Sequence, residues 1–194
     1  MCLLLNMEKI EQYNILIVGD GGVGKTRFIN KLNKKSSSER YIPTYGVTQY
    51  KFKKYNIIDT SGQEKYSKIP FNDKIHGAII MFSLESHISC KNIQFFHEKI
   101  VKVYGNIPII ICGNTFSKTE NKLSQEMITY HLEFNLKYFE ISNNEEIIIR
   151  CLSDQINNKL FYENLQNYVN KFLEIKDKEI SELTAKIDFI KKLI

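Results

Sequence analysis

Apolar residues along this chain fall in short unbroken runs, separated by stretches in which they recur every three or four positions. Tyr13–Val18 ("YNILIV"), Ala78–Phe82 ("AIIMF") and Ile107–Cys112 ("IPIIIC") have the length and continuity of strands buried on both faces. Thr48–Phe52 and Lys54–Ile58 read as two strands joined with hardly any turn, and Tyr138–Ile141 reads as a last short strand. Between these runs, residues from about Lys25 to Leu32 suit a helix, and Ile93, Phe96, Ile100, Val103 and Tyr104 recur at helical spacing. A further helix fits Ser124–Glu133, and a long helical region begins at about Lys159. Strands that alternate with crossover helices predict an α/β fold. The expected sheet is doubly wound, six-stranded and mostly parallel, with one antiparallel edge strand and helices on both faces.

The long final pattern adds an appendage. Val169, Leu173, Ile180, Leu183, Ile187, Ile190 and Ile194 keep a three-four repeat that only Lys176 interrupts. Glu174 with Lys178 and Glu182 with Lys186 stand four apart in the favourable order. The repeat fits a coiled coil of about three heptads, and equally a final helix half packed on the sheet and half in solvent. The division expected is a tail at 1–10, a main domain at 11–174 and a helical extension at 175–194.

Composition narrows the function. The 194 residues are 43% hydrophobic and 25% charged, enough for one domain with a core. The net charge of +5 is spread along the chain with no Arg cluster or aromatic-basic platform, so nucleic-acid binding is not expected. Cys2, Cys90, Cys112 and Cys151 lie too far apart for metal-ligand or redox spacing, which suits reduced thiols in the cytoplasm or nucleus. No apolar run reaches the length of a membrane span, and no Cys near the C-terminal end offers a prenylation site, so no membrane anchor is expected.

Three polar stretches carry chemistry. Gly19-Asp20-Gly21-Gly22-Val23-Gly24-Lys25-Thr26 fits the phosphate-loop pattern, with an apolar strand before it and a helix after it. Its glycines let backbone N–H groups turn toward phosphate oxygens, and the helix presents its positive end to the same anion. Lys25 would reach the β- and γ-phosphates, and the Thr26 hydroxyl would ligate Mg²⁺. In Asp59-Thr60-Ser61-Gly62-Gln63-Glu64, Asp59 ends a strand and can hold Mg²⁺ through a water. The Gly62 N–H can contact a γ-phosphate, and Gln63 can orient an attacking water. In Tyr41-Ile42-Pro43-Thr44-Tyr45-Gly46-Val47, Thr44 would add a second hydroxyl to Mg²⁺ and an N–H to the γ-phosphate.

Together these residues resemble the Ras-like small GTPases, and the finer text looks most like the Ran branch. "GDGGVGKT" and "DTSGQEKY" are followed by "AIIMF", by "KNIQFFHEKIVKVYGNIPIIICGN" from Lys91 to Asn114, and by "NLKYFEIS" from Asn135 to Ser142. The likeness covers about Glu11 to Ser142 and resumes at Phe161–Leu173. The resemblance implies a GTP/GDP switch with bound Mg²⁺, an exchange factor and a GTPase-activating protein. For Ran it also implies transport receptors and traffic between nucleus and cytoplasm. By position, Asn114 matches the base-contacting Asn, and Ser142 and Asn143 open the last base-proximal loop.

The departures from the family cluster at the base. Thr115 replaces the Lys whose stem covers guanine, and Ser117 replaces the Asp that pairs with its two protons. Ser142-Asn143-Asn144 stands for the family's Ser-Ala-Lys, and Ser36-Ser37-Ser38 stands where Ran has a base-flanking aromatic. The hairpin between Thr44 and Asp59 is shorter than in Ran, which bears on receptor binding. Phosphate and Mg²⁺ positions thus survive where base positions do not, and the expectation is nucleotide binding with relaxed base preference. Glu120 closing the pocket after a loop shift is one alternative. A pseudo-GTPase scaffold that occupies the family's partners without cycling is another.

Overall fold

The computed structural model describes residues 12–35, 46–62, 74–116, 122–124 and 128–193. The strands are β1 (Tyr13–Val18), β2 (Val47–Phe52), β3 (Tyr55–Thr60), β4 (Gly77–Ser83), β5 (Ile109–Asn114) and β6 (Lys137–Glu140). The helices are α1 (Lys25–Leu32), α2 (His87–Tyr104), α3 (Tyr130–Glu133) and α4 (Glu145–Leu193). The six strands form one sheet in the order β2-β3-β1-β4-β5-β6. All neighbours are parallel except β2 and β3, which pair antiparallel from Val47 opposite Thr60 to Phe52 opposite Tyr55. The expected mixed sheet with one antiparallel edge strand is therefore the sheet observed.

The continuous apolar runs are explained by burial on both faces. β1, β4 and β5 are buried along nearly their whole length, whereas the edge strand β2 is only partly covered. One cluster joins Leu16, Val18, Ile58, Ile80, Phe82 and Ile111 of the sheet to Ile93, Phe96 and Ile100 of α2. Those three α2 residues recur at helical spacing and form its buried stripe. α1 buries Phe28, Ile29 and Leu32, and α4 buries Ile148, Ile149, Leu152 and Ile156.

Two helical expectations are corrected. Within Ser124–Glu133, residues 125–127 lie outside the described residues, Ser124, Ile128 and Thr129 are not helical, and the helix is the single turn Tyr130–Glu133. The final helix starts at Glu145 and not near Lys159. Three consecutive isoleucines at 147–149 give that start a strand-like text, but packing decides otherwise. Ile148, Leu152 and Ile156 stand four apart and are buried together with Ile149, while Glu145 and Glu146 favour a helix start through the dipole.

The chain divides into two compact units, one spanning Lys9–Ile156 and the other taking in Asn157–Ile194. α4 runs through the boundary. In its second part Val169, Leu173, Ile180, Leu183 and Ile187 are all exposed. Lys159 pairs with Glu163 and Lys176 with Glu179 along the helix surface. No helix among the described residues is long and apolar enough to cross a membrane.

Candidate nucleotide site

The carboxyl ends of β1, β3 and β5 meet where the sequence placed its polar motifs. β1 ends at Val18 and the loop Gly19–Gly24 leads into α1. Gly24 is the N-cap of α1 with φ +100, a left-handed conformation natural to glycine. A side chain there would also run into the Asn114 amide and approach the Phe116 ring to 3.0 Å. The Lys25 ammonium folds back over this loop and donates to the Gly19 carbonyl at 2.7 Å and the Asp20 carbonyl at 3.0 Å. Lys25 is buried, so its charge stands inside the curl of the loop. The Asp20 carboxylate faces α2 and accepts from the Asn92 side-chain amide at 2.6 Å.

Thr26 and Asp59 come from different elements and meet. The Thr26 hydroxyl donates to Asp59 Oδ2 at 2.6 Å, and Asp59 is fully buried at the end of β3. A hydroxyl and a carboxylate in contact are hard oxygen donors that suit Mg²⁺, which binds through few protein groups plus water and phosphate. Thr60, next along β3, donates its hydroxyl to the Ile17 carbonyl at 2.9 Å and locks β3 against β1. Gly62 follows with φ +79, and a Cβ on it would stand 2.5 Å from the Gly21 nitrogen. The two loops are therefore in backbone contact, and only glycine permits it. A magnesium-bound polyphosphate suits this set: a cation inside a glycine-lined loop, an oxygen pair beside it and a cradle of glycine backbone.

On the other side of the loop, the Asn114 side-chain amide donates to the Val23 carbonyl at 2.9 Å. The Glu85 carboxylate, just beyond β4, receives the Thr115 hydroxyl at 2.8 Å and the Phe116 N–H at 3.2 Å. The Arg27 guanidinium lies 5.8 Å from the centre of the Phe116 ring. In the last loop Asn143 has φ +61, and its side-chain oxygen accepts from Lys31 at 3.1 Å. Lys31 also stands 3.2 Å from Glu145 Oε1, an ion pair with one partner buried. Ser142 donates its N–H to the Asn144 side chain at 3.0 Å, and Asn144 donates to the Glu140 carbonyl at 3.0 Å. Cys112, two residues before Asn114, is buried, and burial first and the Cys151 thiol second push its own thiol far up, so it stays protonated.

Of the residues singled out in the sequence, Gly19 to Thr26, Asp59, Gly62 and Asn114 come together around one loop. Ser142 and Asn143 lie in a loop tied to α1 through Lys31. Thr44, Gln63 and Ser117 lie outside the described residues, as do Ser36-Ser37-Ser38 and Glu120. Glu85, Asn92, Lys31 and Phe116 were not foreseen as parts of this region. Their side chains are ordinary loop and helix residues in the sequence, and only the crossing of β4, α2, α1 and the β5 end gives them partners.

A model of the Ras family matches residues 14–161, a stretch that takes in the phosphate loop, the Asp59 motif and the whole sheet but for Tyr13, the first residue of β1. The match covers well over half of the chain, and its sheet order and loop geometry are those the motifs require. The chain belongs to the Ras family of small GTPases.

Proposed function

We propose that this protein binds guanosine tri- and diphosphate with Mg²⁺, hydrolyses the triphosphate slowly and acts as a switch, with a base preference looser than its family's. The observation that carries the reading is the Thr26–Asp59 contact of 2.6 Å beside a loop that encloses the Lys25 ammonium. Lys25 and the N–H groups of Gly21 to Thr26 would grip the phosphates, with the Gly62 N–H beside them. Thr26, Thr44 and Asp59 would hold Mg²⁺, which, when bound, neutralises phosphate charge that the protein alone leaves uncompensated. Gln63 would orient the water that attacks the γ-phosphorus. The segments that carry Thr44 and Gly62 would order with the triphosphate and loosen with the diphosphate.

A Ran-like role in transport between nucleus and cytoplasm is the finer part of the proposal, with an exchange factor, a GTPase-activating protein and transport receptors as partners. It rests on the text from Lys91 to Asn114. The Asn92–Asp20 bond of 2.6 Å ties that text to the phosphate loop. The exposed repeat on the second part of α4 is proposed to pair with a second copy of the chain. The scaffold reading has one observation in its favour: the Thr115 hydroxyl is engaged by Glu85, where the resembled family has a Lys over the base.

The deciding experiment is identification of the nucleotide that co-purifies, followed by calorimetry with GDP and GTP, with and without Mg²⁺, on wild type and Lys25→Ala. Bound guanine nucleotide, Mg²⁺ dependence and a large loss of affinity in the variant are expected. A protein that takes up no nucleotide supports the scaffold reading.

A further inference from the structure

Phe116 is out of keeping with its place. It sits directly after the polar pair Asn114-Thr115, at the sheet edge where the nucleotide site is proposed, yet it leaves 45% of its surface open. Its position is built and not incidental. Its own N–H is held by Glu85 at 3.2 Å, and the preceding Thr115 hydroxyl is held by the same carboxylate at 2.8 Å. The ring tip lies 3.0 Å from where a Gly24 Cβ would stand, so the absence of a side chain on Gly24 makes room for it. The Arg27 guanidinium, from the first turn of α1, lies over the ring at 5.8 Å. A cation over one part of an aromatic ring restrains it electrostatically. The result is a half-exposed aromatic ring fixed against the residue that opens α1, next to the Asn114 amide.

We propose that the Phe116 ring is a stacking surface for the nucleobase, positioned by Glu85 and Arg27. It would make base binding in this chain depend on π-face contact more than on hydrogen bonds to the base edge. The inference rests on the phosphate-site reading above and adds the residue that sets base preference. Every base has a π-face, so stacking is tolerant of base identity and strongest for the larger purines. This supplies what the sequence departures leave open: with Ser117 in place of a carboxylate, and with serines at 36–38 where a base-flanking aromatic is expected by resemblance, base affinity needs another source.

The test uses the full chain, freed of nucleotide, with GDP, ADP, UDP and inorganic pyrophosphate as probes in the presence of Mg²⁺. Phe116→Ala and Phe116→Leu are expected to weaken GDP and ADP roughly tenfold, within the range that one base–aromatic stack supplies. UDP should lose less, and pyrophosphate affinity should not move. Because the chain has no Trp, Phe116→Trp installs a sole indole. Its fluorescence should be quenched by GDP and ADP and not by pyrophosphate. If pyrophosphate and GDP bind wild type but both truncated variants bind GDP as well as wild type does, or better, the stacking role is overturned. Better binding would make the ring a plug. If wild type binds not even pyrophosphate, the phosphate-site reading falls and this inference falls with it.

Discussion

The Asn114 amide donates to the Val23 carbonyl at 2.9 Å, and both residues are buried. This bond joins the end of β5 to the phosphate loop. It gives Asn114 a structural role that does not depend on which base is bound. Removing the donor strands a buried carbonyl, which costs about 1–3 kcal/mol. Asn114→Ala should therefore lower the melting temperature by several degrees with no ligand present and weaken pyrophosphate as well as nucleotide binding. Calorimetric melting and titration of the ligand-free protein check this. A variant that melts like wild type and loses only nucleotide affinity would limit Asn114 to base contact.

His76 makes stability depend on pH. Its Nδ1 accepts the Asn14 backbone N–H at 2.9 Å, and the His76 backbone N–H donates to the Asn14 carbonyl at 2.9 Å. Burial first, and the nearby Lys74 charge second, lower its pKa. His97 shifts the same way through burial, with Glu98 opposing. A histidine whose folded pKa is depressed binds its proton more readily in the unfolded chain. Stability is then fully present above the unfolded value of about 6.5 and is lost as pH falls from there toward the folded value. Wild type should melt lower at pH 5.5 than at pH 7.5, and His76→Gln should show a smaller difference between the two. Equal pH sensitivity in both proteins would remove His76 from the account.

The second part of α4 bears on assembly. Val169, Leu173, Ile180, Leu183 and Ile187 are between 45% and 59% exposed, on a three-four repeat that a partner helix would bury. Lys176 occupies one position of that repeat and forms its ion pair with Glu179 at 2.7 Å. The full chain should be a dimer and a truncation after Ile175 monomeric, and Lys176→Leu should tighten the dimer by removing a cation from the proposed seam. Light scattering behind size exclusion reads both. A monomeric full chain would leave the repeat as a solvated helix face.

The sheet was legible because its strands are buried on both faces, which forces runs such as "YNILIV" and "AIIMF" that little else explains. α1 was legible to the residue because the phosphate loop fixes its start. The start of α4 was hidden because its three isoleucines, Ile147 to Ile149, are β-branched and read as strand, whereas the packing of Ile148, Ile149 and Leu152 and the acidic first turn make it helix. In the proposed site, the motifs carry the loop, Lys25, Thr26 and Asp59 because the phosphate-loop pattern has a fixed local spacing. Glu85, Asn92 and Phe116 act through contacts between elements far apart in the chain, and no local spacing marks them.

The base motif offers the sharpest test. If position 117 faces the base as proposed, a carboxylate there would accept two charge-assisted hydrogen bonds from guanine, whereas a serine hydroxyl would accept a weaker one. The difference is about 1.5–3 kcal/mol, or roughly ten- to two-hundred-fold in affinity. The missing carboxylate also removes the repulsion that would reject the adenine N1 or a xanthine carbonyl. Wild type should therefore prefer GTP over ATP and XTP only modestly. Ser117→Asp should raise the GTP preference by that factor, and Thr115→Lys added to it should raise it further, provided the lysine gives up the Glu85 contact that Thr115 makes. Competition of the three triphosphates against a labelled diphosphate measures all of this. If wild type already discriminates strongly and Ser117→Asp changes nothing, another acid, with Glu120 the first candidate, closes the pocket.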